Sequence, residues 1–140
     1  MKILIIGLSG SGKTTLAKKL HETPTFSSFS TLNGDDVRSM YNDWDFSING
    51  RIRQSIRISH LSDKMQNVII DFIAPLEDQR KRINYDVLIW MNTKEHSVFP
   101  DTDALFEPPT PHITITELDY DLDEIITKIL TITSVEQYED

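Results

Sequence analysis

Short apolar runs alternate along this chain with stretches in which apolar residues recur every three or four positions. The runs predict strands at Lys2–Ile6, Ser30–Leu32, Val68–Phe72, Asp86–Met91 and His112–Thr116. The helical spacing predicts helices at Lys13–His21, Asp36–Tyr41, Arg51–Met65, Glu77–Ile83 and Leu122–Thr131. Several strands are apolar almost throughout, as strands covered by helices on both faces must be. Leu122, Ile125, Ile126, Ile129 and Leu130 form one helical stripe expected to seal against the sheet. Turn formers and prolines predict loops at Thr23–Ser28 and Val98–Pro111, and the polar tail after Thr133 is expected to fray. The alternation specifies an α/β fold with a parallel sheet of about five strands, in one domain spanning residues 1–140.

The first strand runs directly into Gly7-Leu8-Ser9-Gly10-Ser11-Gly12-Lys13-Thr14, and a helix leaves it. The pattern is G-x-x-x-x-G-K-[ST] in its required strand–loop–helix setting. Glycines let the backbone wrap a polyphosphate, successive N–H groups form an anion nest, and the helix N-terminus adds partial positive charge. This makes the fold a three-layer P-loop NTPase fold. Gly7, Ser9, Gly10, Ser11, Gly12, Lys13, Thr14 and Thr15 are the candidate contacts to ATP, with Lys13 on the β- and γ-phosphates and the Thr14 hydroxyl on Mg²⁺. A plain Gly/Ser turn with a solvated lysine is the alternative.

Charge narrows the partners. The net charge is −8, yet residues 1–94 carry thirteen Lys/Arg against ten Asp/Glu, and residues 95–140 carry one base, Lys128, against twelve acids. A backbone grip on nucleic acid needs a basic surface, so none is expected; the basic residues lie beside the phosphate loop, as a phosphate-bearing small molecule requires. There is no cysteine, which fits a reducing cytoplasm and removes disulfide and thiolate chemistry. No run approaches the roughly 20 apolar residues of a membrane span, and the apolar start reads as a core strand, so no membrane association is expected.

Two absences narrow the enzyme class. Asn92-Thr93-Lys94-Glu95 has the wrong order for a guanine reader, and Asp71 is followed by Phe72-Ile73-Ala74 rather than a switch glycine. The small size favours a simple phosphotransferase. Asp71, at the end of a buried strand, is the candidate for orienting Mg²⁺, with helix capping or an arginine pair as its alternative. In Asn33-Gly34-Asp35-Asp36-Val37-Arg38, Asp35 is the candidate base for an acceptor hydroxyl, and Asp36 is expected to cap the following helix. Arg53, Arg57 and His60 share a helix face, as an anion site or a solvated stripe; Arg51 is the stronger anion candidate. Arg80, Lys81 and Arg82 are either a source of a transition-state cation or surface.

Together these segments resemble the adenylylsulfate kinases. The phosphate loop with Thr15-Leu16-Ala17 matches G-L-S-G-S-G-K-S-T-L-A, and Leu32 to Arg38 matches L-D-G-D-N-V-R. Phe46-Ser47, Arg51, Gln54 and Arg57 fall on F-S-x-x-D-R-x-x-N-x-x-R, Phe72 to Pro75 answer F-I-S-P, and Phe99 to Pro109 fit F-T-G-I-D-x-P-Y-E-P-P. The resemblance implies that Asp35 acts near the transferred phosphate, that Arg38 and Arg51 hold the phosphosulfate, and that Phe46 and Phe99 sandwich the acceptor's adenine. Core packing is the alternative for each Phe. It adds Gln54 and Ile73 to the acceptor contacts, and it implies homodimers, since such kinases often pair.

The chain also departs from that pattern. Asn33 stands for the first Asp of D-G-D, Ala74 for Ser, Gln54 for Asn and Gly50 for Asp, while Asp71 replaces a small residue. The basic lid between Thr93 and Phe99 is missing, leaving only Lys94 and His96, as in short bacterial and phage adenylylsulfate kinase-like proteins. The expectation is a cytoplasmic ATP- and Mg²⁺-dependent kinase of a nucleotide-like acceptor, most simply adenylylsulfate, in sulfate assimilation. A kinase for a nucleoside, modified base or sugar-like acceptor, and a non-catalytic nucleotide-binding module, are the alternatives.

Overall fold

The computed structural model describes residues 1–138. The chain runs β1 (Lys2–Ile6), α1 (Lys13–His21), β2 (Ser30–Asn33), α2 (Gly34–Tyr41), α3 (Ile48–Asp63), β3 (Val68–Asp71), α4 (Glu77–Lys81), β4 (Val87–Met91), α5 (Pro100–Leu105), β5 (Ile113–Ile115) and α6 (Leu122–Tyr138). All five strands pair in parallel in the order β2-β3-β1-β4-β5. The order places β1 at the centre, so its C-terminal end, where the phosphate loop begins, lies between the ends of β3 and β4.

Side-chain alternation along β1 builds a core on each face. Ile3 and Ile5 pack with Leu16 and Leu20 of α1 and Ile125 and Ile129 of α6. Leu4 and Ile6 face the other way, with Val37 of α2, Ile58 of α3 and Leu88 of β4. Each such fully buried side chain contributes about 1.5–3 kcal/mol, so the strand that carries the phosphate loop is held from both faces. Among the described residues no helix is long and apolar enough to cross a membrane.

The structure alters several expected elements. Pro100 to Leu105, expected within a loop, form α5, because proline at the first helical position gives up only an N–H that has no helical partner there. α3 starts at Ile48 rather than Arg51, since the Ser47 hydroxyl accepts from Gly50 N at 3.2 Å and caps it. α2 is capped by Asn33, not Asp36: the Asn33 side chain accepts from Asp36 N at 3.1 Å. α6 continues past Thr131 to Tyr138, so the tail from Thr133 to Tyr138 is helical, while residues 139–140 lie outside the described residues. Thr127, Thr131 and Thr133 turn their hydroxyls onto carbonyls of the preceding turn instead of interrupting the helix. Leu130, placed in the sealing stripe, is 39% exposed.

Candidate active site

The phosphate loop is shaped by positions that only glycine fills comfortably. Gly7 packs so tightly that a Cβ there would meet the Met91 carbonyl oxygen at 2.7 Å, and Gly12 takes φ +97° at the entrance to α1. α1 carries no side-chain cap and no acid in its first turn. Its N–H groups and positive dipole end are therefore left for an external anion.

Lys13 is buried and its ammonium donates to the Leu8 carbonyl at 2.9 Å. Burial lowers its pKa to about 8, against the pull of Asp71 and Asp35. The Thr14 hydroxyl donates to Asp71 Oδ2 at 2.8 Å. Asn33 stands opposite Asp71 in the β2–β3 register and donates from Nδ2 to the same Oδ2 at 2.8 Å. Because Asn33 Oδ1 is engaged by the α2 cap, its amide points one way: oxygen to the helix, nitrogen to the carboxylate. Burial raises the Asp71 pKa, while the Thr14 and Asn33 bonds and Lys13 oppose the rise.

One cleft of about 650 Å³ joins this phosphate end to the rest of the expected site. Ser9, Gly10, Lys13, Thr14, Asp35, Arg38, Phe46, Arg51, Gln54, Asp71, Ile73 and Phe99 all line it. Gly7, Ser11, Gly12 and Thr15 do not. Gly7, Ser11 and Gly12 belong to the loop backbone, where Ser11 donates its N–H to the Leu8 carbonyl at 3.1 Å, and Thr15 is an exposed residue of α1.

At the other end of the cleft, Arg38 spans the carbonyls of Asp43 and Asp45 at 3.0 and 3.1 Å and lies 4.2 Å over the Phe46 ring. Arg51 donates to the Phe46 carbonyl at 2.9 Å and to the Thr102 hydroxyl at 2.8 Å. Burial lowers the pKa of both guanidiniums, yet arginine stays charged. Two fixed cations thus border the same cleft wall. Phe46 and Phe99 are 48% and 51% exposed, so neither is core packing. Gln54 donates to the Gly34 carbonyl at 2.8 Å, and its Oε1 is buried without a partner among the described residues.

The other basic candidates are removed from the site. Arg53 and Arg57 pair with Asp43, and Arg53 also with Asp45, so they are neither an anion site nor a freely solvated stripe. Arg80 is buried and donates to the carbonyls of Ala74 and Pro75 at 2.8 and 3.1 Å. It holds the Phe72–Pro75 turn rather than facing the cleft, which matters because Ala74 sits at φ +46°. Lys81 and Arg82 pair with Glu77 and Asp78 on the surface.

Sequence reasoning missed Trp44, Val98, Thr102 and Gln79 as cleft residues. Gln79 donates to the Arg51 carbonyl at 2.8 Å, a tertiary contact with no local signature. Trp44 did carry a signal: an aromatic between two acids in a loop has no core to enter. Lys94 also lies across the loop, with its Nζ 3.0 Å from where a Cβ on Gly10 would stand, and it has no ion-pair partner among the described residues.

The donor set is suited to Mg²⁺, which takes one or two protein ligands and completes its shell with phosphate and water. Thr14 Oγ1 and the Asp71 carboxylate supply that many. Among the described residues no group of three His, Asp or Glu side chains forms a complete protein cage.

Comparison with known proteins gives the family and the fold. The adenylylsulphate kinase family profile matches residues 1–105. An adenylyl-sulfate kinase of Buchnera aphidicola subsp. Schizaphis graminum is 39% identical over 88 residues, covering 58% of this chain and 42% of that protein. The match therefore spans less than half of that relative's length. The Mycobacterium tuberculosis APS kinase CysC, solved with AMPPNP and APS, superposes with a TM-score of 0.71 at 21% identity, over 95% of this chain and 96% of that one. Aquifex aeolicus shikimate kinase superposes with a TM-score of 0.64 at 14% identity, over 98% of both chains. At these identities the structural likeness shows the fold, a P-loop kinase fold that serves chemically different acceptors. The profile match covers most of the chain and shows the family: this protein belongs to the adenylylsulphate kinase family.

Proposed function

We propose that this protein is a kinase that transfers the γ-phosphoryl group of ATP to a hydroxyl of adenylylsulfate. The observation that carries the reading is one cleft in which a phosphate loop, the carboxylates of Asp35 and Asp71 and an arginine–aromatic wall meet in a chain of this family. Lys13 and the loop amides hold the β- and γ-phosphates. Thr14 and Asp71 would hold Mg²⁺, which when bound offsets charge on the transferring phosphate. Asp35 lies on the first turn of α2 between the phosphate end and Arg38, where it orients the acceptor hydroxyl and accepts its proton. Arg38 and Arg51 hold the anionic phosphosulfate, Phe46 and Phe99 line the pocket that takes the base, and Gln54 and Ile73 complete it. Catalysis is then positioning and charge stabilisation, as phosphoryl transfer demands.

The test is ADP release from Mg-ATP with adenylylsulfate and with a panel of nucleosides and sugars, using Lys13→Ala as the blank. Stimulation by adenylylsulfate that vanishes in the blank supports the reading. Stimulation by another acceptor alone supports the second reading, a kinase of a different hydroxyl compound, which the substitutions at Asn33, Gln54 and Ala74 and the short connection from Thr93 to Phe99 favour.

A further inference from the structure

The acceptor end of the cleft is walled by a loop at once acidic and aromatic, Asn42-Asp43-Trp44-Asp45-Phe46-Ser47. Its acids face away from the cleft. Asp43 receives Arg53 Nε at 3.0 Å and Arg57 at 2.6 Å, and Asp45 receives Arg53 at 2.8 Å, so both carboxylates are drawn onto α3. Arg38 fastens the same loop through two of its carbonyls. Gly50 lets it close: a Cβ there would fall on the Asp45 carbonyl oxygen. The loop is thus held from three sides, and the side chains it presents to the cleft are Trp44 and Phe46.

Among the described residues Trp44 belongs to neither core cluster and makes no aromatic pair, and 48% of it is exposed. A clamped loop that keeps an indole wet in the free protein has prepared a flat apolar surface for something else to cover. Arg38 and Arg51 lie beside it on the same wall. An indole next to two guanidiniums suits a planar heteroaromatic ring joined to an anionic group, and offers an aliphatic polyol little.

We propose that Trp44 is a substrate-binding residue of the acceptor subsite, a stacking platform for a purine-like ring, with the Asp43–Arg53–Arg57 clamp as its positioning device. The assignment rests on the nucleotide-acceptor reading above.

Trp90, the other tryptophan, stacks on Phe106 at 6.0 Å and lies outside the cleft, so the two indoles can be told apart. Tryptophan fluorescence is titrated with adenylylsulfate without ATP, alongside calorimetry. A change that saturates with calorimetric binding, persists in Trp90→Phe and is lost in Trp44→Phe supports the assignment. Trp44→Ala weakens adenylylsulfate binding about tenfold or more, as loss of a base–aromatic stack does, and leaves the affinity for Mg-ATP in place as proof of folding. Asp43→Asn raises the acceptor KM at nearly constant kcat, and Asp43→Glu recovers part of it. Unchanged acceptor affinity in Trp44→Ala, or a signal that survives in Trp44→Phe, overturns the role of Trp44 while leaving the reaction intact. No calorimetric binding of adenylylsulfate to the wild-type protein overturns the nucleotide-acceptor reading itself, and the Trp44 assignment with it.

Discussion

Replacing Asn33 by Asp exchanges one NH₂ for an oxygen at the centre of the phosphate end. The capping oxygen toward Asp36 N is retained, so the change isolates the other end of the side chain, which donates to Asp71 Oδ2 at 2.8 Å. A hydrogen bond to a charged group, about 1.5–3 kcal/mol, is lost. In its place two carboxylates face each other at roughly 4 Å, a repulsion of about 4 kcal/mol at an effective dielectric constant near 20. Relaxation and proton sharing reduce that sum, and a better helix cap returns about 0.3–1 kcal/mol. The expected net loss at pH 7.5 without metal is about 2–4 kcal/mol, or a drop in Tm of roughly 6–12 °C for a chain of this length. The sign with pH follows from linkage. The paired carboxylates have raised pKa values in the folded state, so the folded variant binds the extra proton and the deficit shrinks on acidification toward pH 5. Added Mg²⁺ shrinks it also, and Asn33→Asp combined with Asp71→Asn recovers most of the loss by exchanging the two partners. Thermal melts at both pH values, with and without Mg²⁺, read all of this. A variant that melts within about 2 °C of wild type at pH 7.5 without metal refutes the claim that Asn33 holds Asp71.

Three further outcomes are expected. Phosphate favours charged Lys13, whose pKa in the free protein is about 8, so nucleotide binding takes up a proton above that pH. Affinity for Mg-ATP by calorimetry should fall about tenfold between pH 7 and 9, and the fall should vanish in Lys13→Met. Arg38→Ala and Arg51→Ala should each raise the acceptor KM at least about tenfold, a loss of about 1.4 kcal/mol or more, with the ATP KM little changed; an acceptor without an anionic group would lose little on either change. Gly50→Ala should push the 42–47 loop off α3 and destabilise the fold by about 1–3 kcal/mol, with weaker acceptor binding than nucleotide binding by calorimetry.

What the chain declares openly is what local chemistry dictates. The phosphate loop and the apolar strands are legible because glycine spacing and apolar runs are local facts. α5 was hidden because Pro100 reads as a breaker unless it falls at the first helical position. The cap of α2 was assigned to Asp36 because Asn33 lies inside the apparent strand, and only the sheet register shows it facing Asp71. Arg53 and Arg57 read as an anion site because Asp43 and Asp45, ten and eight residues before Arg53, return onto α3 only once the loop folds over Gly50. Arg80 could not be separated from its surface neighbours without knowing that α4 aims it at the Ala74 turn. For α5 the ambiguity is local; in the other cases the missing information is a tertiary contact that the sequence pattern does not encode.

The central claim is that the phosphoryl group of ATP goes to adenylylsulfate in this cleft. The most direct measurement is mass spectrometry and ³¹P NMR of the nucleotide pool after incubating the wild-type protein with Mg-ATP and adenylylsulfate, with Asp35→Asn in parallel. The account predicts one new species, adenylylsulfate carrying one added phosphoryl group, formed in step with ADP and strongly suppressed in Asp35→Asn. ADP formed with no phosphorylated adenylylsulfate, at any enzyme concentration, would contradict it.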